Sequence, residues 1–187
     1  VQDGVYDRFA AKLTEKVRQL KVGQGFEGGV VQGPLIDAQA LAKVEAHVAD
    51  AVQHGARVLT GGRPHARGGR FYEPTVLVDV TPAMRVSVEE TFGPVAPLFR
   101  FADEAEVIGL ANASEFGLAS YFFSRDIGRV WRVAEALEVG IVGVNTGLIS
   151  NELVPFGGVK QSGLGREGSK YGIEDYLEIK YICMGGL

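Results

Sequence analysis

A single cysteine, Cys183, serves the whole 187-residue chain, so no intrachain disulfide can form. A chain without disulfides suits a reducing compartment, and a cytoplasmic location is expected. Positive charge is also scarce: 19 Lys and Arg against 23 Asp and Glu give a net charge of −4. That balance leaves no basic footprint for nucleic acid, and no such partner is expected. No apolar run approaches the ~20 residues that cross a bilayer, which excludes a helical membrane anchor within these residues. The three histidines, His47, His54 and His65, match no metal-site spacing; surface roles are expected for them, and no metal. The sequence starts at Val1 with neither an initiator Met nor a signal-peptide pattern, which reads as an internal start.

Glycine is abundant. The chain has 26 glycines, about twice the usual ~7% share, which points to a turn-rich α/β protein rather than a helical bundle. The apolar residues Val5, Phe9, Leu13, Val17 and Leu20 recur at helical spacing, with Asp3 as a candidate cap. A second helix follows Asp37, placing Leu41, Val44, Val48 and Val52 on one face and stopping at Gly55. Residues 58–60, 71–80, 96–101, 118–124 and 140–145 read as strands. Pro74 assigns the second of these to a sheet edge or bulge, and the uncharged last one reads as fully buried. Helices are expected at 103–106 onward and over 126–138, the latter with Val130, Val133, Ala134 and Leu137 inward. Residues 177–184 alternate enough to form a terminal strand. Strands and helices interleave without a repeat or linker, so one α/β domain is expected.

Three segments could carry chemistry. In Glu89-Glu90-Thr91-Phe92-Gly93-Pro94 an acid stands two residues before an aromatic. A carboxylate accepts two hydrogen bonds at once and suits a vicinal diol such as a ribose. The same residues could equally form a solvated acidic turn with Phe92 in the core. Asn145-Thr146-Gly147-Leu148-Ile149-Ser150 follows the last predicted internal strand, where α/β proteins meet ligands. Asn145, Thr146 and Ser150 could bind a polar substrate there or simply cap the local turn. The run from Val154 to Gly168 holds five glycines and opens with Phe156 near its start. It fits neither a dinucleotide fingerprint nor a phosphate-binding loop, and it could be a surface turn. Cys183 has no helix N-terminus or cation placed by the sequence to activate it, so a structural role is expected.

Taken together, these segments resemble the C-terminal part of an aldehyde dehydrogenase. The Glu-Glu-x-Phe-Gly-Pro motif is matched by residues 89–94, and the family's C-terminal signature by Pro155-Phe156-Gly157-Gly158 with Ser162-Gly163 and Gly165-Arg166-Glu167. The wording of 147–150 and 160–172 is similar to the branch that oxidises succinate semialdehyde. The resemblance implies that residues 1–187 are the C-terminal part of an aldehyde-dehydrogenase-like catalytic domain, a layered sheet with flanking helices, with the cofactor domain expected upstream. It also implies NAD or NADP as cofactor, and oxidation of succinate semialdehyde to succinate through a cysteine thiohemiacetal and thioester. Glu90 would then bind the nicotinamide ribose and Phe92 would pack beside the cofactor. Ser150 would contact the distal carboxylate of the substrate, and Phe156 would line the pocket near the thiol. Residues 177–184 would pair across a subunit interface, giving a homodimer or homotetramer. The family's nucleophilic Cys and general-base Glu are expected upstream of Val1, so no catalytic residue is assigned in this chain and the chain alone is expected to be inactive. The alternatives are a non-catalytic oligomerisation module and a fragment of a related semialdehyde or aliphatic aldehyde dehydrogenase.

Overall fold

The computed structural model describes residues 1–186. The chain divides into two compact units, Val1–Asp103 and Glu104–Leu187.

In the first unit, helices α1 (Tyr6–Arg18) and α2 (Ala38–Gln53) accompany strands β1 (Arg57–Thr60), β2 (Thr75–Val80) and β3 (Val95–Phe99). The sheet order is β1-β2-β3, with β2 antiparallel to β1 and parallel to β3. The central strand β2 separates two apolar clusters. Val76 and Val78 pack with Tyr6, Ala10 and Leu98, whereas Leu77 and Val80 pack with Val44, Val48, Ala51, Tyr72 and Met84. Simple alternation would put Val80 with Val76 and Val78. A register shift between Leu77 and Val80, with Asp79 at φ 57°, turns Val80 to the α2 side instead.

Two expectations change here. Of the edge or bulge expected from Pro74, the edge is not found: β2 is central, its pairings with β1 and β3 both carry register shifts, and Pro74 stands one residue before it, where the ladder needs no N–H from that position. The buried face of α1 is Tyr6, Ala10 and Thr14, while Val5, Phe9 and Leu20 are exposed. The Tyr6 hydroxyl explains the rotation. It donates to Leu98 O at 2.8 Å and accepts from Asp79 N at 2.9 Å, tying the helix to two strands. Burial raises the Tyr6 pKa. Asp3 lies in a 3-10 turn, and the cap position of α1 is Val5, without a side-chain bond. The cap of α2 is as expected: Asp37 accepts from Ala40 N at 2.7 Å.

The second unit holds α4 (Glu104–Asn112), β4 (Phe116–Gly117), β5 (Ala119–Phe122), α5 (Ile127–Ala136), β6 (Ile141–Val144) and β7 (Val159–Lys160). The four-residue α3 (Arg85–Val88) belongs to the first unit. β5, α5 and β6 form a parallel crossover, and β4 pairs with β7 antiparallel. Asp126 caps α5 by accepting from Arg129 N at 3.0 Å. Glu104 joins α4 to α5 through Arg129 and Arg132 at 3.1 and 3.0 Å. Along α5 only Val133 is buried; Val130, Ala134 and Leu137 are half-buried. β6 is not fully buried, since only Gly143 is. Among the described residues it pairs with β5 alone, with no strand on its other edge. Residues 177–184 form no strand. A strand needs a ladder partner, and none is present among the described residues, so Leu177, Ile179, Tyr181 and Met184 stand exposed. No helix among the described residues is long and apolar enough to cross a membrane.

Candidate functional site

The segment at 89–94 is fixed every second residue. Glu89 accepts from Arg85 Nε and Nη2, both at 2.9 Å, and lies 3.1 Å from His47 Nε2. The Arg85 guanidinium, then His47, hold the Glu89 carboxyl down at about 2. Thr91 Oγ1 sits 2.9 Å from His47 Nδ1. At Gly93 a Cβ would run into Val44 Cγ2, so only glycine lets the segment lie on α2 this closely. The Pro94 carbonyl then accepts from Thr75 N at 2.8 Å, anchoring the exit to β2.

The alternate residues are free. Glu90 is exposed and has no hydrogen-bond or ion-pair partner among the described residues. Phe92 is 82% exposed and stands at φ 47°, a conformation that non-glycine residues seldom adopt. This excludes a turn with Phe92 in the core. A free carboxylate beside an uncovered ring fits a ribose diol with its attached aromatic base, so these two residues suit the cofactor expected of them.

His47 was missed by sequence reasoning, which expected it at the surface. It is 0% exposed. The signal was present: His47 lies on the same stripe of α2 as Val44, Val48 and Ala51, a polar residue on an apolar face that needs hydrogen-bond partners. His54 and His65 are not buried.

In the second unit the carboxyl end of β6 sorts its polar residues. Asn145, at φ 57°, accepts from Ser124 N at 2.9 Å and donates to Ser124 O at 2.8 Å. Thr146 Oγ1 is engaged with Leu148 N and O, both at 3.3 Å. Both residues therefore serve local structure. Ser150 is exposed, and among the described residues its hydroxyl has no partner.

The glycine run folds back on itself. Phe156 and Glu167 exchange backbone bonds of 2.9 and 2.7 Å. Arg166 Nη1 donates to Gly158 O and Gly165 O at 2.8 and 2.7 Å. A Cβ on Gly157 would come within 2.6 Å of Gly165 O, so close self-packing explains that glycine. The fold encloses a cleft of about 560 Å³, lined by Phe156, Arg166, Glu167, Ser169, Asp175 and Tyr176 among others. Phe156 is half-buried on it. Ser150 is not among the lining residues. Cys183 is exposed rather than packed as a structural thiol. Among the described residues no three His, Cys, Asp or Glu side chains gather to hold a metal.

Residues 1–182 match the model of the aldehyde dehydrogenase family. The chain is 68% identical to the glutarate-semialdehyde dehydrogenase of Pseudomonas aeruginosa, over 100% of this chain and 39% of that protein. It is also 68% identical to the NADP(+) succinate-semialdehyde dehydrogenase of Escherichia coli, over 99% of this chain and 38% of that one. The crystal structure of succinate-semialdehyde dehydrogenase from Burkholderia pseudomallei superposes with a TM-score of 0.97 at 65% identity, covering 98% of this chain and 38% of that one. The chain thus spans between 38% and 39% of the length of these relatives. The chain belongs to the aldehyde dehydrogenase family.

Proposed function

We propose that this chain is part of an NAD- or NADP-dependent aldehyde dehydrogenase that oxidises succinate semialdehyde to succinate. The observation that carries the reading is the contrast between neighbouring carboxylates: Glu89 is saturated by Arg85 and His47, whereas Glu90 is exposed without a partner. Glu90 accepts from the two hydroxyls of the nicotinamide ribose, and Phe92 packs against the cofactor. The bound cofactor supplies the hydride acceptor. Ser150, whose hydroxyl is free where Asn145 and Thr146 are not, binds the distal carboxylate of the substrate. Phe156 lines the aldehyde pocket from the wall of the cleft.

The equal identity to a glutarate-semialdehyde dehydrogenase favours a second reading, a substrate one methylene longer. Hydrophobic discrimination of one methylene is worth only ~1–3 kcal/mol, so both semialdehydes can be turned over. Comparing kcat/KM for the two in a protein of the relatives' length that contains this chain decides between them. Ser150→Phe should lower kcat/KM for both far more than for an uncharged aliphatic aldehyde; an equal loss for all three removes the carboxylate role.

The sole cysteine, Cys183, is exposed in a segment without secondary structure, and the 187 residues alone are proposed to be inactive. Cysteine-dependent reduction of NAD or NADP by this chain would refute that. The enzyme is proposed to act in the cytoplasm as a homodimer or homotetramer, with residues 177–184 adding to a sheet edge of a second copy. Their exposed Ile179, Tyr181 and Met184 support this. Deleting 177–187 should dissociate the assembly in size-exclusion chromatography; an unchanged elution volume contradicts it.

A further inference from the structure

The alternation of residues 89–93 has one hub. His47 reaches both sides of Glu90: its Nε2 lies 3.1 Å from Glu89 Oε2 and its Nδ1 lies 2.9 Å from Thr91 Oγ1. An ionised carboxylate only accepts, so Nε2 carries a hydrogen and donates to Glu89. In the neutral ring Nδ1 then accepts from the Thr91 hydroxyl. The imidazole is 0% exposed and rigidly seated on the α2 stripe between Val44, Val48 and Ala51. Glu89 is also gripped by Arg85, but Arg85 is itself exposed and holds one end of the segment only. Thr91 has no other side-chain bond among the described residues. Among the described side chains His47 alone bonds Thr91, while the fit of Gly93 on Val44 and the bond from Thr75 N to Pro94 O hold the exit of the segment.

We infer that His47 is a positioning residue for cofactor binding, bracketing Glu90 through Glu89 and Thr91 so that its carboxylate is held ready for the ribose diol. The inference rests on the ribose role of Glu90 proposed above. Holding a carboxylate in place before binding removes an ordering cost that cofactor affinity would otherwise bear. His47 touches no reacting atom in this account; its effect belongs in cofactor affinity and not in aldehyde recognition.

The test is fluorescence titration with NADPH on a protein of the relatives' length that contains this chain. His47→Leu keeps bulk and removes both bonds. His47→Gln restores a donor toward Glu89, His47→Asn restores an acceptor toward Thr91, and Thr91→Val cuts one arm without touching α2. His47→Leu should raise the NADPH Kd about tenfold, the scale of ordering one side chain on binding. Gln, Asn and Thr91→Val should fall between it and the parent, with the aldehyde KM unchanged. In a Glu90→Gln background, His47→Leu should add less than about twofold, because it acts through Glu90. Folded His47→Leu with a lowered Tm but the parent's Kd would overturn the inference and leave His47 a core residue. If His47→Leu does not fold, Thr91→Val and His47→Asn carry the same criterion. Glu90→Gln with the parent's Kd overturns the ribose role itself; Glu90→Gln weakened with the His47 variants at the parent's Kd overturns only the positioning.

Discussion

The two units bury their apolar residues very differently. Apart from Val133, the buried hydrophobic residues among those described all lie in the first unit, and all of these but Phe71 belong to the two clusters on the faces of β2. The second unit leaves Phe116, Tyr121, Phe123, Trp131, Leu164 and Tyr176 exposed around two short two-stranded sheets. A unit with one buried apolar side chain among its described residues gains little of the burial that offsets chain entropy. The difference teaches where precision comes from. The segment carrying Glu90 is anchored on a closed core, so its free side chains are set by its tied ones. Among the described residues, the segment carrying Ser150 is tied by the Asn145–Ser124 pair before it and by Ser169 N on Glu152 O after it.

The sharpest way to break this comparison is truncation in each core. Leu77→Ala, at 0% exposure in the first unit, should destabilise this chain by about 2–5 kcal/mol in denaturant unfolding. Trp131→Ala, 64% exposed in the second, should stay within about 1 kcal/mol. Equal losses would mean that the second unit has a core after all. Next in size, Gly93→Ala should cost about 1–3 kcal/mol, because its methyl meets Val44 and the segment must lift from α2. A neutral result in thermal unfolding would mean that the segment is not seated there.

A pH titration sharpens the same point. The Glu89 pKa is lowered in the fold from 4.5 to about 2, first by Arg85 and then by His47. Its folded pKa is below its unfolded one, so its contribution is complete above about 4.5 and fades as pH falls from there through about 2. The unfolding midpoint should decline over that window, and Glu89→Gln should flatten the decline; an identical slope in the variant removes Glu89 as the cause. The smallest effect is expected at Ser150. Exposed and without a partner, its change to Ala should move stability by no more than ~0.5 kcal/mol in the same unfolding experiment, while lowering kcat/KM for the semialdehyde.

Much of this was legible from local pattern. The start of α2 after Asp37 and its stop at Gly55 are short-range signals and both stand, as do Leu41, Val44 and Val48 on its inner stripe, whereas Val52 is exposed and Ala51 is buried instead. The helix expected over 126–138 was legible for the same reason and is found as α5 at Ile127–Ala136. What failed depended on distant partners. The rotated face of α1 follows from Tyr6 bonding to Leu98 and Asp79, 92 and 73 residues away. The central place of β2, despite Pro74, follows from pairing with β3. Residues 177–184 have the alternation of a strand but no ladder partner among the described residues. At the site, motif wording pointed to Glu90 and Phe92, but not to the tie of their neighbour Glu89 to His47, 42 residues earlier.

The central claim is that the two segments serve different ligands. It is tested most directly by measuring both Michaelis constants for Glu90→Gln and Ser150→Phe in a protein of the relatives' length that contains this chain. The account predicts that Glu90→Gln raises KM for the nicotinamide cofactor and not for succinate semialdehyde, while Ser150→Phe does the reverse. If both substitutions raise the same constant, or neither raises any, the assignment of these segments is wrong.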